Sequence, residues 1–159
     1  MCIRDSPFGL LDYSVVHNGE ISSYDANRRY IEMFGYKCNL QTDTEVITYI
    51  IDFLLRVKHL TLEEVAKVIS ASFWSTIDDK SEEDRAQEIF LRKAFPSLLI
   101  NGPFSIIFGF NGGLMALNDR LKLRSMVCAE KGSLAFVSSE ECGIRVIEPE
   151  LDKIFAPAG

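Results

Sequence analysis

Apolar positions along the chain change period twice, and the changes divide it into three stretches. Residues Tyr13 to His17 are aromatic or β-branched for the most part and run directly into Asn18-Gly19, which predicts a strand ending in a tight turn. From Asp25 to Phe34 the apolar Tyr30, Ile31, Met33 and Phe34 fall on one side of a helical period, with Arg28, Arg29 and Glu32 elsewhere. That pattern predicts a helix stopped by Gly35. A short extended piece, Lys37 to Leu40, leads to Gln41-Thr42-Asp43-Thr44, whose side chains are N-cap candidates for a helix over Glu45 to Lys58. Thr61-Leu62-Glu63-Glu64 has the spacing of a capping box opening a helix that reaches Ser70. Ser81 to Asp84 opens another, which reaches Phe95.

Beyond Pro103 the period shortens. Phe104 to Phe110, Leu114 to Asn118, Met126 to Glu130 and Ser133 to Ser138 are short strand-like runs. Asn111-Gly112-Gly113 and Lys131-Gly132 between them are hairpin signals, because Asn and Gly tolerate the positive φ that such turns require. The order is strand, helices, then an antiparallel meander. No internal repeat, low-complexity tract or linker interrupts it, so the reading is one α+β domain.

Length supports this, since a chain of 159 residues can bury roughly two thirds of the surface it exposes when unfolded. Charge narrows the function: a net charge of −6 with no basic cluster excludes a general phosphate-backbone binder, so no nucleic-acid partner is expected. The longest apolar run, Val46 to Val57, is broken by Asp52 and Arg56, and the N-terminus lacks a secretory hydrophobic core. No membrane association is expected, and the expected compartment is the cytoplasm. Cys2, Cys38, Cys128 and Cys142 are scattered without a paired spacing, so neither a disulfide framework nor a metal site is predicted.

Three positions are candidates for chemistry. Asn18-Gly19 reads either as a turn or as a strand end where a side-chain amide and a backbone N–H meet one spot, as an oxyanion hole requires. Asp43 reads either as a helix N-cap or as a carboxylate that binds a substrate ammonium, with Thr44 left to cap the helix. His17 and His59 are the only histidines, and neither has a Ser or Cys at motif spacing, so His17 is given a structural hydrogen bond. Asn118-Asp119-Arg120, with Lys122 and Arg124, reads as an ion-pair network at a strand end, or as a charged pocket wall. Glu82-Glu83-Asp84 reads as the acidic first turn of a solvated helix.

Val15-Val16-His17-Asn18-Gly19-Glu20-Ile21, followed by Thr42-Asp43-Thr44-Glu45-Val46-Ile47, resembles the class II glutamine amidotransferases. The longer stretches from Pro7 to Leu11, Asn27 to Tyr30 and Phe34 to Cys38 are most similar to the amidotransferase domain or subunit of glutamate synthase-type proteins. Leu117 to Arg124 and Ser138 to Glu141 resemble the later strands of the same family. The resemblance covers Pro7 to Gly159 and implies an Ntn-hydrolase αββα sandwich. It implies glutamine hydrolysis to glutamate and ammonia for a synthase domain or subunit. Asn18 and Gly19 would be the oxyanion donors and Asp43 the holder of the α-ammonium. It implies no cofactor in this chain, with 2-oxoglutarate and a flavin on the partner if the acceptor is of the glutamate synthase type. The same hydrolase domain also serves amidophosphoribosyltransferases, glucosamine-phosphate synthases and asparagine synthetases, and a non-catalytic Ntn-like scaffold is the reading from another class. Ser125 departs from the family, whose members carry Pro there.

The resemblance implies an N-terminal cysteine as nucleophile, its own α-amine acting as base. Cys2 stands only fifteen residues before His17, too close to fit the strands that the resemblance places between them. Met1 to Ser6 match nothing in the family and read as a non-native scar. The expectation is therefore a domain over residues 7–159, truncated ahead of Pro7 and without its nucleophile.

Overall fold

Two antiparallel sheets and six α-helices account for most of residues 7–157, which the computed structural model describes. The first sheet has the order β1-β2-β3-β4, formed by Phe8–Leu10, Tyr13–Gly19, Phe104–Phe110 and Gly113–Asn118. The second has the order β6-β5-β7, formed by Leu134–Ser138, Val127–Lys131 and Lys153–Phe155. The expected meander is thus split between two sheets, and β1 and β7 are strands that the sequence pattern did not predict. They are only three residues each, too short to establish a period.

Both hairpins expected from glycine signals are present. Phe110 pairs with Gly113 across a turn where Gly112 has φ 91°, and Lys131 pairs with Leu134 where Gly132 has φ 56°. Asn18-Gly19 behaves differently: the strand does not turn there. Residues 14–19 pair with 104–109, and beyond Gly19 the pairing continues through Glu20 N–H to the Pro103 carbonyl at 3.0 Å and Ser22 N–H to the Asn101 carbonyl at 2.8 Å. A distant strand supplies the ladder, so a tight turn is not required.

Helix starts follow their caps. α2 (Asp43–Asp52) opens at Thr42, whose hydroxyl accepts the Glu45 N–H at 3.3 Å. Neither Asp43 nor Thr44 is the N-cap, and the helix begins two residues earlier than the apolar pattern indicated. It runs into a π-helical segment, Phe53–Val57, inside the predicted span. α3 (Leu62–Ile69) carries the expected capping box between Thr61 and Glu64, and α5 (Glu82–Ala94) is capped by Ser81. α1 spans Tyr24–Glu32, while α4 (Trp74–Asp78) and α6 (Glu141–Ile147) are short additions. Among the described residues no helix is long and apolar enough to cross a membrane.

Side chains alternate across β2 and β3, so opposed residues share a face. Val15 opposes Phe108 and His17 opposes Ile106, and Val15, Phe104, Ile106 and Phe108 are buried in one core with Val46, Ile47, Ile50 and Ile51 of α2. The helices therefore cover the face that carries His17. Asn18, Ser105 and Asn118 form a cross-strand row on the opposite face.

Among the described residues the charged cluster after β4 forms no ion-pair network. Asp119 is buried, and its carboxylate accepts the backbone N–H groups of Phe104, Leu121, Leu123 and Arg124. Arg120 donates instead to Asn101 Oδ1 at 2.8 Å, and Lys122 to the Pro157 carbonyl at 3.2 Å. A buried carboxylate requires donors, and the tight chain reversal, with Lys122 at φ 53°, presents backbone amides where no cationic side chain reaches.

Candidate functional site

The end of β2 and the start of α2 meet at His17. Its Nδ1 lies 3.4 Å from Asp43 Oδ1, and the two side chains are 2% and 9% exposed, so the pair is nearly dry. Asp43 Oδ1 also accepts the Thr44 N–H at 2.9 Å. Burial pulls the Asp43 pKa upward, but the hydrogen bond and charge of His17, with the Thr44 and Asp43 backbone amides, outweigh it and leave the pKa lowered. A nearly buried carboxylate is a receptor for a cationic donor.

Asn18, the next residue, faces the other way. Its Nδ2 donates to Ser139 Oγ at 2.9 Å, a bond that joins the end of the first sheet to the segment after β6. An amide nitrogen carries two hydrogens, so this contact orients the carboxamide and leaves one N–H for another acceptor. Ser139 is fixed in turn by Ser125, whose hydroxyl donates to the Ser139 carbonyl at 2.7 Å. A proline at position 125 could not make this bond. Among the described residues Asn18 and Asp43 share no hydrogen bond, and the strand alternation sets their side chains on opposite faces. A ligand touching both lies across the end of β2.

Gly19 is buried where β2 passes closest to β3. A Cβ there would stand 2.1 Å from the Pro103 carbonyl oxygen and 2.8 Å from the Phe104 Cα, so only glycine fits. The close approach keeps the backbone of residue 19 against β3 and beside Asn18.

The contributions of Ser139 and Ser125 were not legible in the sequence, since serines at chain separations above one hundred residues carry no local pattern; His17 was legible only as a hydrogen-bonder. Among the described residues no thiol is arranged as a nucleophile. Burial first, then the charges of Glu45 and Glu32, push the Cys38 thiol up to about 11, and burial also raises Cys128. Cys142 is raised chiefly by its hydrogen bond to Glu140. Cys2 and the rest of the proposed scar lie outside the described residues. A cleft of about 450 Å³ opens elsewhere, between α3, α4 and the end of β4, where Lys67 pairs with Glu63 and Lys80 with Glu88. It does not include Asn18, Gly19 or Asp43.

The fold is that of the Ntn-hydrolase amidotransferases. The glutamine phosphoribosylpyrophosphate amidotransferase of B. subtilis superposes with a TM-score of 0.56 at 18% identity, over 85% of this chain and 23% of that one. In sequence the chain is 30% identical over 141 residues to the glutamine–fructose-6-phosphate aminotransferase of Vibrio vulnificus, covering 84% of this chain and 21% of the relative. It is 26% identical to the amidophosphoribosyltransferase of Methanocaldococcus jannaschii, over 96% of this chain and 26% of that enzyme. An uncharacterized protein of Archaeoglobus fulgidus is 47% identical over 153 residues, 96% of this chain and 40% of the relative. No protein-family model matches the chain. The chain is similar to these proteins and spans two fifths or less of their length.

Proposed function

We propose that the chain is the glutamine site of a class II amidotransferase, in which Asp43 holds the α-ammonium of L-glutamine and Asn18 and Gly19 stabilise the oxyanion formed at its carboxamide carbon. The observation that carries this reading is Asp43 itself: a nearly buried carboxylate beside the Asn-Gly strand end, whose Oδ1 accepts the Thr44 N–H and lies 3.4 Å from His17 Nδ1. The Asn18 carboxamide, oriented by Ser139 with one N–H to spare, supports the second half of the assignment. Hydrolysis proceeds by attack of a cysteine thiolate, whose nucleophile is proposed to lie upstream of Pro7, and releases glutamate and ammonia.

The ammonia passes to an acceptor domain or subunit. The named relatives favour an acceptor of the sugar-phosphate or phosphoribosyl kind. The glutamate synthase type rests on the residue resemblance alone. Ammonia release from L-glutamine, measured on a protein carrying the chain together with its upstream coding sequence, tests the reading. Asn18→Ala should lower turnover by about 100-fold or more at little cost in stability. An Asn18→Ala protein working at the parent rate refutes the oxyanion role. A parent that binds glutamine without hydrolysing it supports the non-catalytic scaffold instead.

A further inference from the structure

His17 is buried to 2% of its side-chain surface, yet only one of its ring nitrogens has a partner. Nδ1 faces Asp43 Oδ1 at 3.4 Å, and Nε2 is buried without a hydrogen-bond partner among the described residues. An orphaned buried polar atom is destabilising, and a 3.4 Å contact returns little to offset it. A Phe or Leu would fill the same space against Ile106 and α2 without an orphan. An imidazole here is therefore poorly explained by stability, and what it adds is a ring nitrogen placed against one oxygen of one carboxylate.

Resting on the glutamine reading of the site, we propose that His17 is the positioning residue of Asp43. Its Nδ1, 3.4 Å from Oδ1, and the Thr44 N–H that donates to the same oxygen restrain the carboxylate, so that it is presented to the α-ammonium of the ligand. Strand alternation explains why the task falls to this residue. With Asn18 turned towards Ser139, His17 is the neighbour on the helix-covered face that meets the first turn of α2.

Isosteres separate the two nitrogens, because Asn places an N–H near the position of Nδ1 whereas Gln reaches that of Nε2. The measurement is calorimetric titration of the 159-residue chain with L-glutamine and with glutaramate, the same molecule without its α-amine. The wild type should prefer L-glutamine. His17→Phe and His17→Gln should each reduce that preference about tenfold, roughly 1.4 kcal/mol, with glutaramate affinity unchanged. His17→Asn should restore it to within about threefold, an effect of under 1 kcal/mol. A wild type that does not distinguish the ligands overturns the glutamine reading and this inference with it. A wild type that distinguishes them, with His17→Phe or His17→Gln keeping the full preference, overturns the inference alone. If His17→Phe does not fold, the Asn and Gln variants decide, and equal preferences in those two overturn it.

Discussion

Gly19→Ala tests how the end of β2 is held. The new Cβ would meet two backbone atoms, the Pro103 carbonyl oxygen at 2.1 Å and the Phe104 Cα at 2.8 Å, and no rotamer change can move either aside. Ordinary contact is regained only if the strands part by about 1 Å or more. That parting stretches the Glu20 N–H bond to Pro103 and the Ser22 N–H bond to Asn101, now 3.0 and 2.8 Å. Forced overpacking costs about 1–3 kcal/mol and each weakened ladder bond about 1 kcal/mol, so the expected loss is about 3–5 kcal/mol. For a domain of this size that lowers Tm by roughly 10 °C. Gly109→Ala is the control on the same ladder: its Cβ would lie 3.8 Å from the Ser14 carbonyl oxygen, an ordinary contact, and the change should stay within about 0.5 kcal/mol. Urea denaturation followed by circular dichroism reads both. Equal stabilities for the two variants would refute the claim that packing against Pro103 demands glycine at position 19.

Three further outcomes follow from the same geometry. Asp119→Ala strands four backbone amides at the end of β4, and urea unfolding should show a loss of more than about 3 kcal/mol; a loss below 1 kcal/mol contradicts the amide nest. Because the native Asp43 pKa is lowered, its contribution to stability is complete above the unfolded value of about 3.9 and drains as pH falls through the lower native one. Asp43→Asn should therefore flatten the stability profile on the acid side of about pH 4, and unchanged curvature there would count against the His17 and Thr44 contacts. Ser139→Ala frees the Asn18 carboxamide to rotate, and should lower ammonia release by roughly tenfold in a protein that carries the nucleophile, less than Asn18→Ala does. If Ser139→Ala matches the parent rate, the Ser139 contact does not orient the amide.

Local information in the sequence reaches as far as local physics does. The capping box at Thr61, the N-cap at Ser81, the hairpins at Gly112 and Gly132 and the helical period of α5 depend on neighbours within four residues, and each appears where the pattern put it. Asn18, Gly19 and Asp43 were singled out through a resemblance carried by two short motifs, and their roles are the ones proposed above. Tertiary structure decided the rest, because it depends on which distant backbone supplies a partner. Asn18-Gly19 remains strand instead of turn because β3 arrives beside it from residues 104–109. Asp119 binds amides instead of cations because the chain folds back over it, and the meander parts into two sheets where β4 ends. The placement of His17 against Asp43 Oδ1, and the bond from Asn18 to Ser139, depend on strand alternation and sheet apposition, which no local pattern encodes.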